Sequence, residues 1–354
     1  MRKKSLKTLV FLVFLSLAFY TVLFFYKKKS TATFSSKKSY GTDKAFIWAI
    51  KETVQVQQAK KPEALEASQE KIEIPAPAKQ ILERCPDTPP DLVGPLYVEF
   101  TVERTLDEVR KEMNFLKEGG RYKPPDCIAQ QKVALIIPFR NRYDHLRHWL
   151  YYLHPILKRQ QVDYTVYIIN QDGEGVFNRA KLMNVGYAEA MKQYDYDCFV
   201  FSDIDLIPLD DRNLYRCFES PRHLAVAMDK FNFNMPYDTF FGGVSSLSRD
   251  QYLKINGFPN TYWGWGGEDD DIHERIKSRG MTISRPDLAT GKYKMIRHQR
   301  DLHNEANPNN PFKLRLASLN MNADGINSLR YTVKAIVKDV LYTFITVDIE
   351  APQS

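Results

Sequence analysis

Apolar residues recur along this chain at two spacings. Largely apolar stretches at 132–138 (Val133, Ala134, Leu135, Ile136, Ile137), 164–170 and 198–202 read as strands, the first central and the last, continuous from Cys198 to Phe201, buried on both faces. Between the first two, Leu146, Trp149, Leu150 and Leu153 stand at i, i+3, i+4 and i+7, the stripe of an amphipathic helix that Pro155 should end or kink. Between the second and third, Phe-Asn-Arg-Ala-Lys at 177–181 opens a helix running towards Tyr194. Strand and helix alternating at these lengths predict an α/β fold with a parallel sheet and right-handed crossovers. The loops after the first and third strands then share the carboxyl edge of the sheet, where open α/β folds bind their ligands. Further strands are expected at 96–102 and 223–228, and a charged helix near 106–116.

The pattern is different towards the N-terminus. Residues 8–26 form a nineteen-residue stretch without a charge, flanked by Arg2, Lys3, Lys4 and Lys7 on one side and Lys27, Lys28 and Lys29 on the other. This is long enough to cross a bilayer and lacks a small-residue cleavage site, so an uncleaved signal-anchor is expected. Residues 27–84, rich in Lys, Ala, Gln, Glu and Pro, cannot bury enough apolar area to offset their ordering entropy and read as a stem. The expected organisation is a cytoplasmic tail (1–7), a membrane span (8–26), a stem (27–84) and a globular domain (85–354). Residues 1–29 hold seven Lys/Arg and no acid, which accounts for the whole formal charge of +7. The remainder is neutral, and nothing favours a nucleic-acid partner. All four cysteines follow the span and none forms a C-x-x-C pair, so zinc is not expected. Two disulfides are; of the three pairings open, Cys85–Cys127 with Cys198–Cys217 closes the shortest loops.

Candidate chemistry gathers where the third strand ends, at Asp203-Ile204-Asp205. A period of two would put both carboxylates on one face, and two close carboxylates call for a cation, most simply a divalent metal carrying a diphosphate. An isolated Asp-x-Asp is more often a solvated turn, but other parts of the chain complete a site. Arg140 and Arg142 leave the first strand on the same edge and would face the aspartates across a nucleotide-sized crevice. Residues 262–271, Tyr-Trp-Gly-Trp-Gly-Gly-Glu-Asp-Asp-Asp, combine a glycine-rich loop with flat aromatic faces that suit a pyranose ring. A helix dipole accounts for one or two of the acids Glu268, Asp269, Asp270 and Asp271; crowding of the rest should raise at least one pKa towards that of a general base. Phe240-Phe241-Gly242-Gly243 reads as a turn that something must approach closely. Met295 and His298 alone would be a core methionine and a surface histidine, but with Asp205 they would suit manganese, the thioether being an unusual ligand.

Taken together, Phe-Arg-Asn-Arg (139–142), Phe-Asn-Arg-Ala-Lys (177–181), Asp-Ile-Asp (203–205), Trp-Gly-Trp-Gly-Gly-Glu-Asp-Asp-Asp (263–271) and Met-Ile-Arg-His (295–298) resemble, in order, the animal β1,4-galactosyltransferase family. The likeness is closest to the type that adds galactose to terminal N-acetylglucosamine (GlcNAc), and it covers residues 85–349. It implies a GT-A type domain, a Rossmann-like mixed sheet flanked by helices. It also implies manganese held by Asp205, Met295 and His298, and UDP contacts from Pro138, Phe139, Arg140, Arg142, Phe177, Arg179, Asp203 and Lys230. Trp265, Glu268, Asp269 and Asp270 would line the sugar and acceptor pocket, with Asp269 as the base. The same sequence-near cysteine pairing is implied. Phe240 stands where galactose-transferring members usually have tyrosine, and Pro311-Phe312 shifts an aromatic of the acceptor's N-acetyl pocket.

The resemblance therefore implies a manganese-dependent inverting transferase moving galactose from UDP-galactose to the 4-hydroxyl of GlcNAc-terminated glycans. It would be a type II Golgi membrane protein with a luminal catalytic domain. Some family members bind α-lactalbumin, so a modifier of that type stays open here, as does a homodimer. Three rivals are weighed against this: the same fold using UDP-GalNAc, a membrane-tethered carbohydrate-binding protein without turnover, and a glycoside hydrolase. The last would need two carboxyl groups about 5–9.5 Å apart and would leave the arginines and the Met-His pair unexplained.

Overall fold

The computed structural model describes residues 82–352. The expected tail and anchor, and nearly all of the stem, lie outside the described residues; among those described, no helix is long and apolar enough to cross a membrane.

In chain order the first elements are α1 (Leu106–Glu112), β1 (Arg121–Tyr122), β2 (Lys132–Phe139), α2 (Tyr143–Arg159), β3 (Asp163–Gln171), α3 (Arg179–Gln193) and β4 (Cys198–Ser202). Then come β5 (Leu206–Pro208), β6 (Arg222–His223), β7 (Ala227–Met228), β8 (Val244–Ser248), α4 (Arg249–Lys254), α5 (Glu268–Ser278) and β9 (Lys292–Met295). The chain closes with α6 (Asn310–Arg315), α7 (Ala317–Asn320), β10 (Thr332–Lys338) and β11 (Thr343–Asp348).

β2 sits at the centre because every residue after Lys132 is apolar and buried, so both its faces need cover. Parallel β3 and β4 flank it, and the main sheet runs β10-β11-β3-β2-β4-β8-β6, with β1 on the start of β3. Val133, Leu135 and Ile137 pack with Leu146, Trp149, Leu150 and Leu153 of α2 on one face. Ala134 and Ile136 pack with Leu182, Met183 and Val185 of α3 on the other. Each such buried aliphatic side chain contributes about 1.5–3 kcal/mol, so the alternation along β2 fastens both helices. Because β3 and β4 lie on opposite sides of β2, the strand order reverses between β2 and β4, and their carboxyl ends form the switch-point crevice.

Several expected elements differ. Pro155 lies inside α2 and does not end it: burial of Ile156 and Leu157 behind it outweighs one lost backbone bond. Residues 96–102 form no strand, since side chains and single bonds satisfy the backbone; the Val98 carbonyl takes Lys294 Nζ and the Glu99 amide meets Tyr152 Oη. The apolar run 223–228 is split, with β6 in the main sheet and β7 in a second sheet of order β5-β9-β7. Cysteines 85 and 127 are joined, as are 198 and 217, the pairing with the shortest loops.

Candidate active site

β4 ends at Ser202, so Asp203 and Asp205 lie in the following turn, not on a strand, and the two carboxylates serve different partners.

Asp203 belongs to a junction built by Arg179. Asn178 caps α3, its side chain accepting from the Lys181 amide, and this sets Arg179 at the first turn facing β4. Its Nε donates to Asp203 Oδ1 at 2.6 Å, and its Nη1 donates to Asp269 Oδ1 at 2.7 Å and to Glu268 Oε1 at 3.5 Å. Burial, with Asp269 next to it, raises the Glu268 pKa well above the usual carboxylate range, and Oε2 of Glu268 is buried without a partner among the described residues. Burial also raises Asp203, against the pull of Arg179, but 31% of its side chain is open to solvent, so that shift counts for less.

The acid run divides its work at the start of α5. Gly267, at φ +94°, begins the helix, and a Cβ there would stand 3.0 Å from the Tyr262 ring. Asp271 is structural, taking Tyr262 Oη and the buried Arg275. Asp270 accepts from Tyr237 Oη at 2.9 Å. Among the four acids burial raises Glu268, Asp270 and Asp271, with the Asp269 charge adding to the first two, while Asp269 is engaged by Arg179.

Asp205 belongs to a second cluster. Its carbonyl accepts from the Ile296 amide at 2.8 Å, and neighbouring Leu206 pairs with Met295 across β5 and β9. His298 Nε2 donates to Asp205 Oδ2 at 2.9 Å and Nδ1 donates to the Gln299 carbonyl at 2.7 Å. Both ring nitrogens face acceptors, and the Asp205 bond raises the imidazole pKa. Buried His145 lies against the His298 ring, centroids 5.1 Å apart. Among the described residues no three of His, Cys, Asp and Glu gather into a metal-sized group, so a metal here would rest on Asp205, His298 and Met295. That carboxylate–imidazole–thioether set fits a divalent transition ion, with a metal taking the place of the Nε2 proton.

The arginines after β2 do not touch Asp203 or Asp205. Arg142 pairs with Asp301, Nε to Oδ2 at 3.1 Å, and Arg140 donates to the carbonyls of Gly175 (2.6 Å) and Leu302 (3.1 Å) while lying over the Phe177 ring. Phe139 is core, its ring against Tyr143 and Phe344, and Pro138 pairs with Ile169 inside the sheet. Lys230 is exposed at a short turn, its ammonium over Phe231. Trp265 is 55% exposed, with Arg300 over its ring. Phe240 packs among His223, Phe231 and Tyr237. Asp301, Tyr237, His145 and the hub role of Arg179 were not legible in the sequence; each works through a partner tens of residues away, and only a covarying pair could have signalled it.

The family model for the N-terminal region of glycosyl transferase group 7 matches residues 85–218, and that for the N-terminal domain of galactosyltransferase matches 222–299. Beta-1,4-galactosyltransferase 2 of Cricetulus griseus is 57% identical over 79% of this chain and 76% of its own length; Beta-1,4-galactosyltransferase 1 of Homo sapiens is 56% identical over 79% and 71%. The chain belongs to the β1,4-galactosyltransferase family. Its fold is of GT-A type, and its chemistry is galactosyl transfer. The crystal structure of the catalytic domain of Drosophila beta1,4galactosyltransferase 7 with xylobiose superposes at TM-score 0.55 and 28% identity, over 62% of this chain and 95% of that one. A mutant of the same Drosophila enzyme, in complex with manganese, UDP-Gal and xylobiose, superposes equally well. In this β1,4-galactosyltransferase the Arg179 junction and the Asp205–His298 pair share the switch-point edge, whereas the cleft lined by Cys85, Gln131, Gln160 and Tyr215 lies at the amino ends of β2 and β3.

Proposed function

We propose that this enzyme moves galactose from UDP-galactose to the 4-hydroxyl of a terminal GlcNAc, inverting the anomeric centre with manganese bound. The observation that carries the reading is the fixed carboxylate of Asp269 beside a metal-suited cluster at one sheet edge. The acceptor oxygen attacks C1 of galactose, the C1–O bond to the diphosphate breaks with its electrons on UDP, and the hydroxyl proton passes to Asp269. Arg179 holds Oδ1 of that carboxylate, leaving Oδ2 for the proton. Asp205, Met295 and His298 would hold manganese, which when bound supplies positive charge against the departing diphosphate. Arg140, Arg142 and Lys230 add charge to the same end, with Phe177 beside the nucleotide. Trp265 offers a flat face to the acceptor, Asp270 and Glu268 take its polar groups, and Phe240 bounds the donor sugar.

Full-length protein should be assayed with UDP-galactose and UDP-GalNAc against GlcNAc, glucose and xylose acceptors, with manganese or a chelator. Transfer of galactose to GlcNAc that stops with the chelator is the expected result; preference for xylose, or turnover indifferent to chelation, overturns the reading. Residues 8–26 would anchor the enzyme in the Golgi with its catalytic domain in the lumen, a placement its two disulfides favour. A C-terminal tag should then be protected from protease in sealed Golgi vesicles; a digested tag would reverse the topology.

A further inference from the structure

His223 is a buried group to which the mechanism above assigns no role. It lies in β6, opposite Ser245 of β8, with no exposure. Its Nε2 bonds to the Gly242 carbonyl at 2.8 Å. A carbonyl only accepts, so Nε2 carries the proton and Nδ1 is a bare acceptor, buried and without a partner among the described residues. Such an atom is costly in a core, where phenylalanine would fill the same space without it. Burial also keeps the imidazole neutral, its pKa pushed down to about 3.

The ring meets Phe240 edge-on at 5.3 Å and Phe241 at 5.7 Å. Gly242 stands between Phe240 and the base: a Cβ there would lie 2.5 Å from Asp269 Oδ2 and 2.8 Å from the Phe240 ring. One histidine thus grips the peptide and touches the ring that meet Asp269.

We propose that His223 is a specificity-determining positioning residue, whose Nε2–H and ring edge hold Gly242 and Phe240 where they bound the donor sugar against Asp269. Tolerance of the unpartnered Nδ1 follows from the need for the donor on the other side of the ring. The inference rests on the proposed role of Phe240.

The test uses the full chain and compares kcat/KM for UDP-galactose with that for UDP-GalNAc. His223→Gln keeps an N–H at the distance of Nε2; His223→Phe keeps only the ring; His223→Asn has an N–H too short to reach Gly242. Expected is a preference lowered about three- to tenfold in the Phe and Asn variants, the worth of one net hydrogen bond, and held within about twofold in the Gln variant. Free manganese, followed by electron paramagnetic resonance, should bind all three as it binds the wild type, since His223 is not among the metal cluster. Equal preference in the Gln and Asn variants overturns the inference even if the Phe variant does not fold. Phe240→Leu separates the two claims: if it shifts the preference and the His223 variants do not, the role of Phe240 stands and that of His223 falls. If Phe240→Leu leaves the preference unchanged, both fall.

Discussion

In the proposed mechanism Asp269 takes the acceptor proton, and its bond to Arg179 makes that proposal specific. Asp269→Asn keeps the shape and an oxygen for Arg179 but cannot take the proton, so kcat should fall by about 10²–10⁴ while UDP binding survives. A variant that loses nucleotide affinity instead would move Asp269 into the Arg179 scaffold. His298 supports a second prediction. The Asp205 bond raises its pKa, so a metal must displace a proton held above the ordinary range, and manganese affinity should weaken as pH falls from 7.5 to 6. Titrating manganese by its resonance signal checks this; His298→Ala should bind more weakly and lose most of that pH dependence, and an unchanged slope would remove His298 from the metal. These two residues were legible as chemistry in the sequence. Arg179 was legible only as a nucleotide contact, because nothing local announces that one guanidinium bridges a strand-end turn and a helix ninety residues on.

At the scale of elements, the tryptophan loop and the segment after His298 are one unit. The Phe177 amide donates to the His303 carbonyl and its carbonyl accepts from Gly264, both at 2.8 Å; the Trp265 amide donates to Glu305 at 2.9 Å, and Asn310 Nδ2 to Gly266 at 2.6 Å. Arg140 and Arg142 tie the stretch 299–302 to the loop after β2. These bonds join loops to loops, and Leu302 and Phe312 are exposed, while Phe177 and Trp263 pack against the core. Such a unit can open and close as one body over the donor. Limited proteolysis at 304–310 should therefore be suppressed by UDP with manganese, and equal cleavage with and without them would count against closure. The glycine-rich tryptophan loop was legible in the sequence, but not that Phe177 ties it to the segment after His298.

At the scale of the whole molecule, the sheet and its two helical covers set stability, and His154 ties them to pH. It is fully buried between Tyr164 Oη, which donates to Nδ1 at 2.8 Å, and the Leu341 carbonyl, which accepts from Nε2 at 2.9 Å. Burial pushes its pKa down to about 4, below the value of about 6.5 in an unfolded chain. The unfolded state therefore binds a proton the native state refuses, so this contribution is complete above pH 6.5 and is lost as pH falls towards 4. Between pH 7 and 5 the loss amounts to about 2 kcal/mol. The stability gap between the wild type and His154→Gln, measured by urea unfolding, should shrink by that order over this range; a constant gap would mean that His154 takes up its proton as readily in the fold as in the unfolded chain.

Periodicity by itself determined the parallel core, the helices on either side and the sheet edge at which the candidate site lies, because burial on both faces leaves a strand no polar positions. Residue type and order carried the resemblance to the β1,4-galactosyltransferase family, and with it the reaction class. Tertiary structure decided the rest. Asp203 and Asp205 part company because the strand ends at Ser202 and both fall in the turn that follows. The run 223–228 is divided between two sheets because Leu224 and Ala225 turn to bond Val244. Pro155 stays helical because the core behind it is worth more than one bond. In each case local preference favoured one outcome and packing against residues far along the chain imposed another, and a sequence pattern does not contain that balance.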